Sequence, residues 1–96
     1  MKEKRDFDGR PSFFFEDIKS GRYSRIAKNL ARRFKLQPEG RFVDTTDTKL
    51  QEYSCRNLLV SLEWEQSDGF SVNSRNADSD QMTEDIAEYV HKKYRA

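Results

Sequence analysis

The sequence predicts an α+β fold. A two-layer domain is expected, with an N-terminal basic helix, an antiparallel meander of three to four strands and a C-terminal helix, the helices on one face of the sheet. Three observations predict it. Apolar residues recur at helical spacing from Tyr23 to Phe34, alternation with one apolar and one mostly polar face runs through Asn57–Gln66, and a second helical stripe runs from Met82 to Val90.

The bulk numbers set the scale. A chain of 96 residues holds one hydrophobic core, because two would each fall near the lower limit for self-supporting folds. Hydrophobic residues are 34% and charged residues 36%, with a mean hydropathy of −1.04. That polarity would suggest disorder if the net charge were high; it is only +1, and seven Phe, four Tyr and one Trp supply large units of buriable surface. The neutral total conceals an asymmetry. Residues 1–38 hold 11 Lys/Arg against 5 Asp/Glu, and residues 39–96 hold 7 against 12. Attraction between the two halves within one fold is the preferred explanation; patches offered to different partners, or to a second copy, are the other.

Residues 1–12 are expected as a flexible charged tail and residues 13–96 as a single α+β domain. Phe13, Phe14 and Phe15 follow in an unbroken run, which suits an edge strand or docking segment. Three adjacent side chains cannot share one face of a strand, so at least one must find a neighbour elsewhere or stay exposed. A strap across the core is favoured over a contact patch.

Ser20 or Gly21 begins the first helix. At about 100° per residue, Tyr23, Ile26, Ala27, Leu30, Ala31 and Phe34 share a stripe, and Pro38 with Gly40 ends the segment. Between Ile18 and Pro38 there are seven basic residues and no acidic one, so the outer face is strongly cationic. Arg41–Thr46 and Leu50–Cys55 read as a short hairpin. In the next strand Leu58, Val60, Leu62 and Trp64 form the apolar face. A three-residue loop, Ser67-Asp68-Gly69, is preferred over a two-residue one because it sets Trp64 opposite Val72 and Gln66 opposite Phe70, with Gly69 at the left-handed position. The outer face, with Ser61, Glu63, Glu65, Ser71, Asn73 and Arg75, is expected to be open and solvated.

The last helix is expected over Asp80–Tyr94, capped by Asp78 or Ser79, with Met82, Ile86, Tyr89 and Val90 buried. Acidic residues near its start and Lys92, Lys93 and Arg95 near its end suit the helix dipole, and Glu88 sits four residues before Lys92.

Catalytic chemistry finds no constellation. The single His and single Cys lie far apart in sequence, and no spacing positions carboxylates beside them for zinc. Asn76-Ala77-Asp78-Ser79-Asp80 imitates the start of a calcium loop, but Gln81 stands where the turn needs Gly and Ala87 where the bidentate Glu belongs. Cys55 has no identifiable base, His91 falls on the polar side of the last helix, and Glu63 and Glu65 share an open strand face rather than a cleft. Neither a nucleophile elbow nor a phosphate loop is present. The chain is therefore read as non-enzymatic, without cofactor or metal. A lone cysteine fits a reducing compartment, no stretch approaches a membrane span, and the charged opening carries no apolar leader, so a cytoplasmic location is expected.

Two partner classes follow. Helix, three strands, helix resembles the double-stranded RNA-binding domain in topology only. That family places lysines at the start of its second helix to meet phosphates, where this chain reads Asn76-Ala77-Asp78-Ser79-Asp80-Gln81, so no membership is inferred. A helix-turn-helix reading of Ile26–Ala31 fails because its recognition helix would contain Pro38 and Gly40. Nucleic-acid binding remains the alternative, through Arg22, Arg25, Lys28, Arg32 and Arg33. A non-catalytic protein-binding or regulatory role, by a protein partner or self-association, is preferred; the same basic face would meet an acidic surface, with Phe13, Phe14 and Phe15 as apolar anchors.

Overall fold

The computed structural model describes residues 1–94. Strands β1 (Lys2–Arg5) and β2 (Pro11–Phe15) precede helix α1 (Tyr23–Phe34). Strands β3 (Gln37–Asp44), β4 (Thr48–Cys55), β5 (Leu58–Glu65) and β6 (Gly69–Ser74) follow, and then helix α2 (Asp80–Tyr94). All six strands join one antiparallel sheet in the order β1-β2-β6-β5-β4-β3. The α+β class stands as expected, but six strands replace the expected three to four.

The additional strands are β1, within residues 1–12, and β2, which holds the Phe run read as an edge strand or docking segment. Lys2–Arg5 pairs with Pro11–Phe14, closing a hairpin whose four β1 residues are all exposed and charged. Charge blunts this sheet edge against pairing with other chains. β2 lies between β1 and β6, so Phe13 and Phe15 enter the core while Phe14 points to the opposite face beneath the Lys4 ammonium, 5.0 Å from its ring centroid. Two rings of the run are thus core and the third is not.

In α1 the buried stripe is Tyr23, Ile26, Ala27 and Leu30, with Ala31 and Phe34 partly covered. The helix stops before Pro38. Lys35 takes a left-handed conformation (φ 58°), and the Leu36 N–H bonds to the Ala31 carbonyl at 2.8 Å. Burying Leu36 in the core requires the reversal there, and Pro38 and Gly40 belong to β3 instead.

The β5–β6 hairpin keeps the expected faces but slips by two residues. Trp64 pairs with Phe70, Leu62 with Val72 and Glu65 with Gly69, leaving Gln66-Ser67-Asp68 as the loop. Gly69 is left-handed (φ 73°), and a Cβ there would lie 2.4 Å from the Phe15 carbonyl oxygen. Close packing of β2 draws Gly69 into the strand and moves the loop back along the chain. Alternation then sets Phe13, Phe15, Val60, Leu62, Trp64, Phe70 and Val72 on the face that meets both helices. The opposite face is less solvated than expected. Ser61, Ser71 and Asn73 are buried among longer neighbours, Ser61 donating to Glu63 at 2.6 Å and Asn73 to Ser71 at 3.1 Å.

α2 has the expected limits and follows a 3-10 turn, Ala77–Ser79. Its buried residues are Thr83, Ile86, Ala87 and Val90, with Met82 and Tyr89 only partly buried. Ser79 serves in a different way from a cap: its Oγ donates to Asn76 Oδ1 and accepts the Leu59 N–H, tying the start of α2 to β5. Lys92 pairs with Glu88 at 3.8 Å; Arg95 lies outside the described residues.

Candidate functional site

The cationic face of α1 divides into two groups. About 100° per residue sets Arg22, Asn29 and Arg33 on one flank, and this flank faces α2. The Arg22 guanidinium lies 5.4 Å from the Tyr94 ring centroid and that of Arg33 4.9 Å from Tyr89, while Asn29 donates to the hydroxyls of Tyr89 (3.1 Å) and Tyr94 (2.8 Å). Two of the five basic residues expected at the site therefore stack on tyrosines in the helix–helix seam. Arg25, Lys28 and Arg32, at positions i, i+3 and i+7, form an outward line, exposed, with no carboxylate paired to them among the described residues.

Beside that line is a groove of about 270 Å³ between α1 and the β3–β4 hairpin. It lies where α1 reaches β4 while β3 beyond is exposed along its whole length. Tyr23, Ala27 and Lys28 line its helix side; Pro38, Phe42 and Tyr53 line its strand side.

A bulge shapes the strand wall. Glu39 pairs with Glu52 and Val43 with Leu50, so β3 spends four residues where β4 spends two. Gly40 absorbs the distortion at φ 72°. The buried Gln51 amide donates to the carbonyls of Glu39 (2.9 Å), Gly40 (3.4 Å) and Glu52 (3.0 Å) at the bulge. Phe42 is thereby carried onto Tyr23, rings stacked at 5.9 Å and 14°, while remaining 42% exposed.

Tyr23 is the fixed floor. Its hydroxyl donates to the Leu62 carbonyl at 2.6 Å, and burial pushes its phenol far above the ordinary tyrosine value, with the charges of Tyr53, Glu63 and Asp44 adding to the effect. Burial also raises Tyr53. Both remain neutral at physiological pH, so the groove presents an apolar, aromatic surface with a cation on its lip.

The expected anchors do not join this site. Phe13 and Phe15 lie in the core, and Phe14 stands on the far sheet face. Sequence reading missed Phe42, Gln51 and Tyr53; the only available signal was Gly40 beside Phe42 in a strand-like segment, the composition of a bulge. Among the described residues no group of three or more His, Cys, Asp or Glu could hold a metal ion, and no helix is long and apolar enough to cross a membrane. In the comparisons with known proteins, no family model, curated protein or solved structure matches the chain.

Proposed function

We propose that this chain is a non-catalytic protein-recognition module that engages acidic surface through the line Arg25, Lys28 and Arg32. The observation that carries this reading is the absence of any described ion pair to these three exposed cations, next to an apolar groove. Unpaired cations beside aromatic surface combine long-range steering with a place for an apolar anchor. The groove falls just below the roughly 300–1,000 Å³ typical of ligand pockets, which suits one inserted side chain better than a metabolite. On the strand side Asp44 lies near enough to Tyr23 for its charge to raise that phenol, and a continuous phosphate backbone crossing the groove would meet it. That favours protein over nucleic acid.

The test is the triple variant Arg25→Glu, Lys28→Glu, Arg32→Glu in a quantitative pull-down run with and without nuclease. A discrete protein set captured by the unmodified chain, insensitive to nuclease and lost from the variant, supports the reading. Co-purifying nucleic acid whose removal releases everything else would replace it with the nucleic-acid alternative.

A further inference from the structure

The hairpin joining β1 to β2 ends in Asp6-Phe7-Asp8-Gly9, and this tip is built rather than loose. Asp6 Oδ1 accepts the N–H groups of Asp8 and Arg10, both at 2.9 Å, and the Gly9 N–H bonds back to the Asp6 carbonyl at 3.0 Å. The order of the turn leaves Phe7 fully exposed, the most exposed of the large hydrophobic residues. The flanking arginines are folded onto the backbone of the tip. Arg5 pairs with Glu3 at 2.9 Å and donates to the Gly9 carbonyl, while Arg10 reaches Asp80 at 4.0 Å and the Asp8 carbonyl. What projects is one aromatic ring, and beside it the Asp8 carboxylate has no cation paired to it among the described residues, while Asp6 Oδ1 is held within the turn.

That chemistry is the complement of the groove. An apolar slot of about 270 Å³, walled by Tyr23, Phe42 and Tyr53, has Lys28 on its lip and Arg25 and Arg32 along the same helix face. The two features cannot meet within one molecule, because β1 and β3 are opposite edges of the six-stranded sheet, about 24 Å apart at the usual strand spacing.

We propose that the groove receives the Phe7 tip of a second copy of this chain, the Phe7 ring entering between Phe42 and Tyr53 and the Asp8 carboxylate meeting Lys28. The proposal rests on the protein-recognition reading and names its partner. Because knob and groove are different surfaces, the contact is heterologous: it generates an open series of oligomers, or closes if the rotation between copies permits.

The experiment is sedimentation velocity from micromolar to millimolar protein at low and high salt, on the unmodified chain, Phe7→Ser and Ser24→Trp. Ser24 is an exposed helix residue on the groove, so the indole blocks the slot without entering the core; Phe42→Ala, also at an exposed residue, replaces it should its circular dichroism show a fold defect. Association that weakens with salt and falls at least about tenfold in each variant is expected, since central aromatic anchors carry most of an interface's energy. The decisive step mixes the two variants. Phe7→Ser retains a groove and Ser24→Trp retains a knob, so a one-to-one complex should form although neither associates alone.

A chain that stays monomeric throughout overturns the proposal and leaves the capture of a separate acidic protein to be judged by the pull-down. Association that survives either substitution also overturns it, while leaving self-recognition by another face standing. Loss in both variants without rescue on mixing overturns it as well, because the two residues would then belong to one shared patch.

Discussion

Tyr23 joins three functions in one side chain: core residue, groove floor and hydrogen-bond donor to Leu62. Tyr23→Phe should cost about 1 kcal/mol, the net worth of one buried hydrogen bond. It should also change the alkaline limb of stability. The folded-state phenol holds its proton where the unfolded chain, near the ordinary value of about 10, has lost it. Stability is thus fully present below about pH 10 and declines as pH rises toward the folded-state value, because the unfolded state then binds fewer protons. Urea midpoints measured across that range should fall steeply for the unmodified protein and less for the Phe variant. Gly69 is a second single-residue determinant. Gly69→Ala combines a left-handed backbone with a Cβ against the Phe15 carbonyl, and a loss of about 2–4 kcal/mol is expected in denaturant titration.

At the level of elements, the bulge in β3 determines the site and Gln51 holds the bulge. Gln51→Leu keeps the bulk but leaves the Glu39 and Gly40 carbonyls without their donor, which should cost about 1–3 kcal/mol. Release of Phe42 from Tyr23 would appear as a loss of ring-current shifts in the two rings' proton spectra. The N-terminal hairpin offers a contrasting test. Deleting residues 1–10 removes β1 and exposes the edge of β2 while Phe13 and Phe15 keep their core places, so the remainder should fold but associate nonspecifically. Deletion through Phe15 would remove an interior strand and two core rings, and should unfold the chain. A truncation of that length therefore cannot report on partner binding.

For the whole molecule, charge is arranged for the exterior rather than for cohesion. The basic first 38 residues and the acidic remainder are joined by one described ion pair, Arg10–Asp80 at 4.0 Å; the other described pairs lie within one half. Attraction between halves is not what holds the fold. The helices meet instead through Asn29, Tyr89 and Tyr94 and two arginine–tyrosine stacks, and the sheet through one apolar face. Replacing Arg25, Lys28 and Arg32 together with Gln should therefore shift stability by no more than about 0.5 kcal/mol per site in thermal melts at any ionic strength.

The class of fold, both helices, the faces of β5 and β6 and the apolar composition of the core followed from periodicity, because a stripe of about 3.6 or 2 residues can be buried in only one way. Helix geometry set Arg22, Arg25, Lys28, Arg32 and Arg33 alike on the outer face of α1, and only the packing of α2 separates Arg22 and Arg33 from the other three. Other features depended on contacts distant in sequence. The β1–β2 hairpin has no apolar alternation to announce β1, since that strand is all charge and is held by backbone pairing alone. The end of α1 at Lys35, the two-residue slip at Gly69 and the bulge under Phe42 were each decided by a partner elsewhere: the core around Leu36, the Phe15 carbonyl and the Gln51 amide. The groove belongs to this second group. Its walls come from a helix and two strands whose separate patterns carry no record of the space between them.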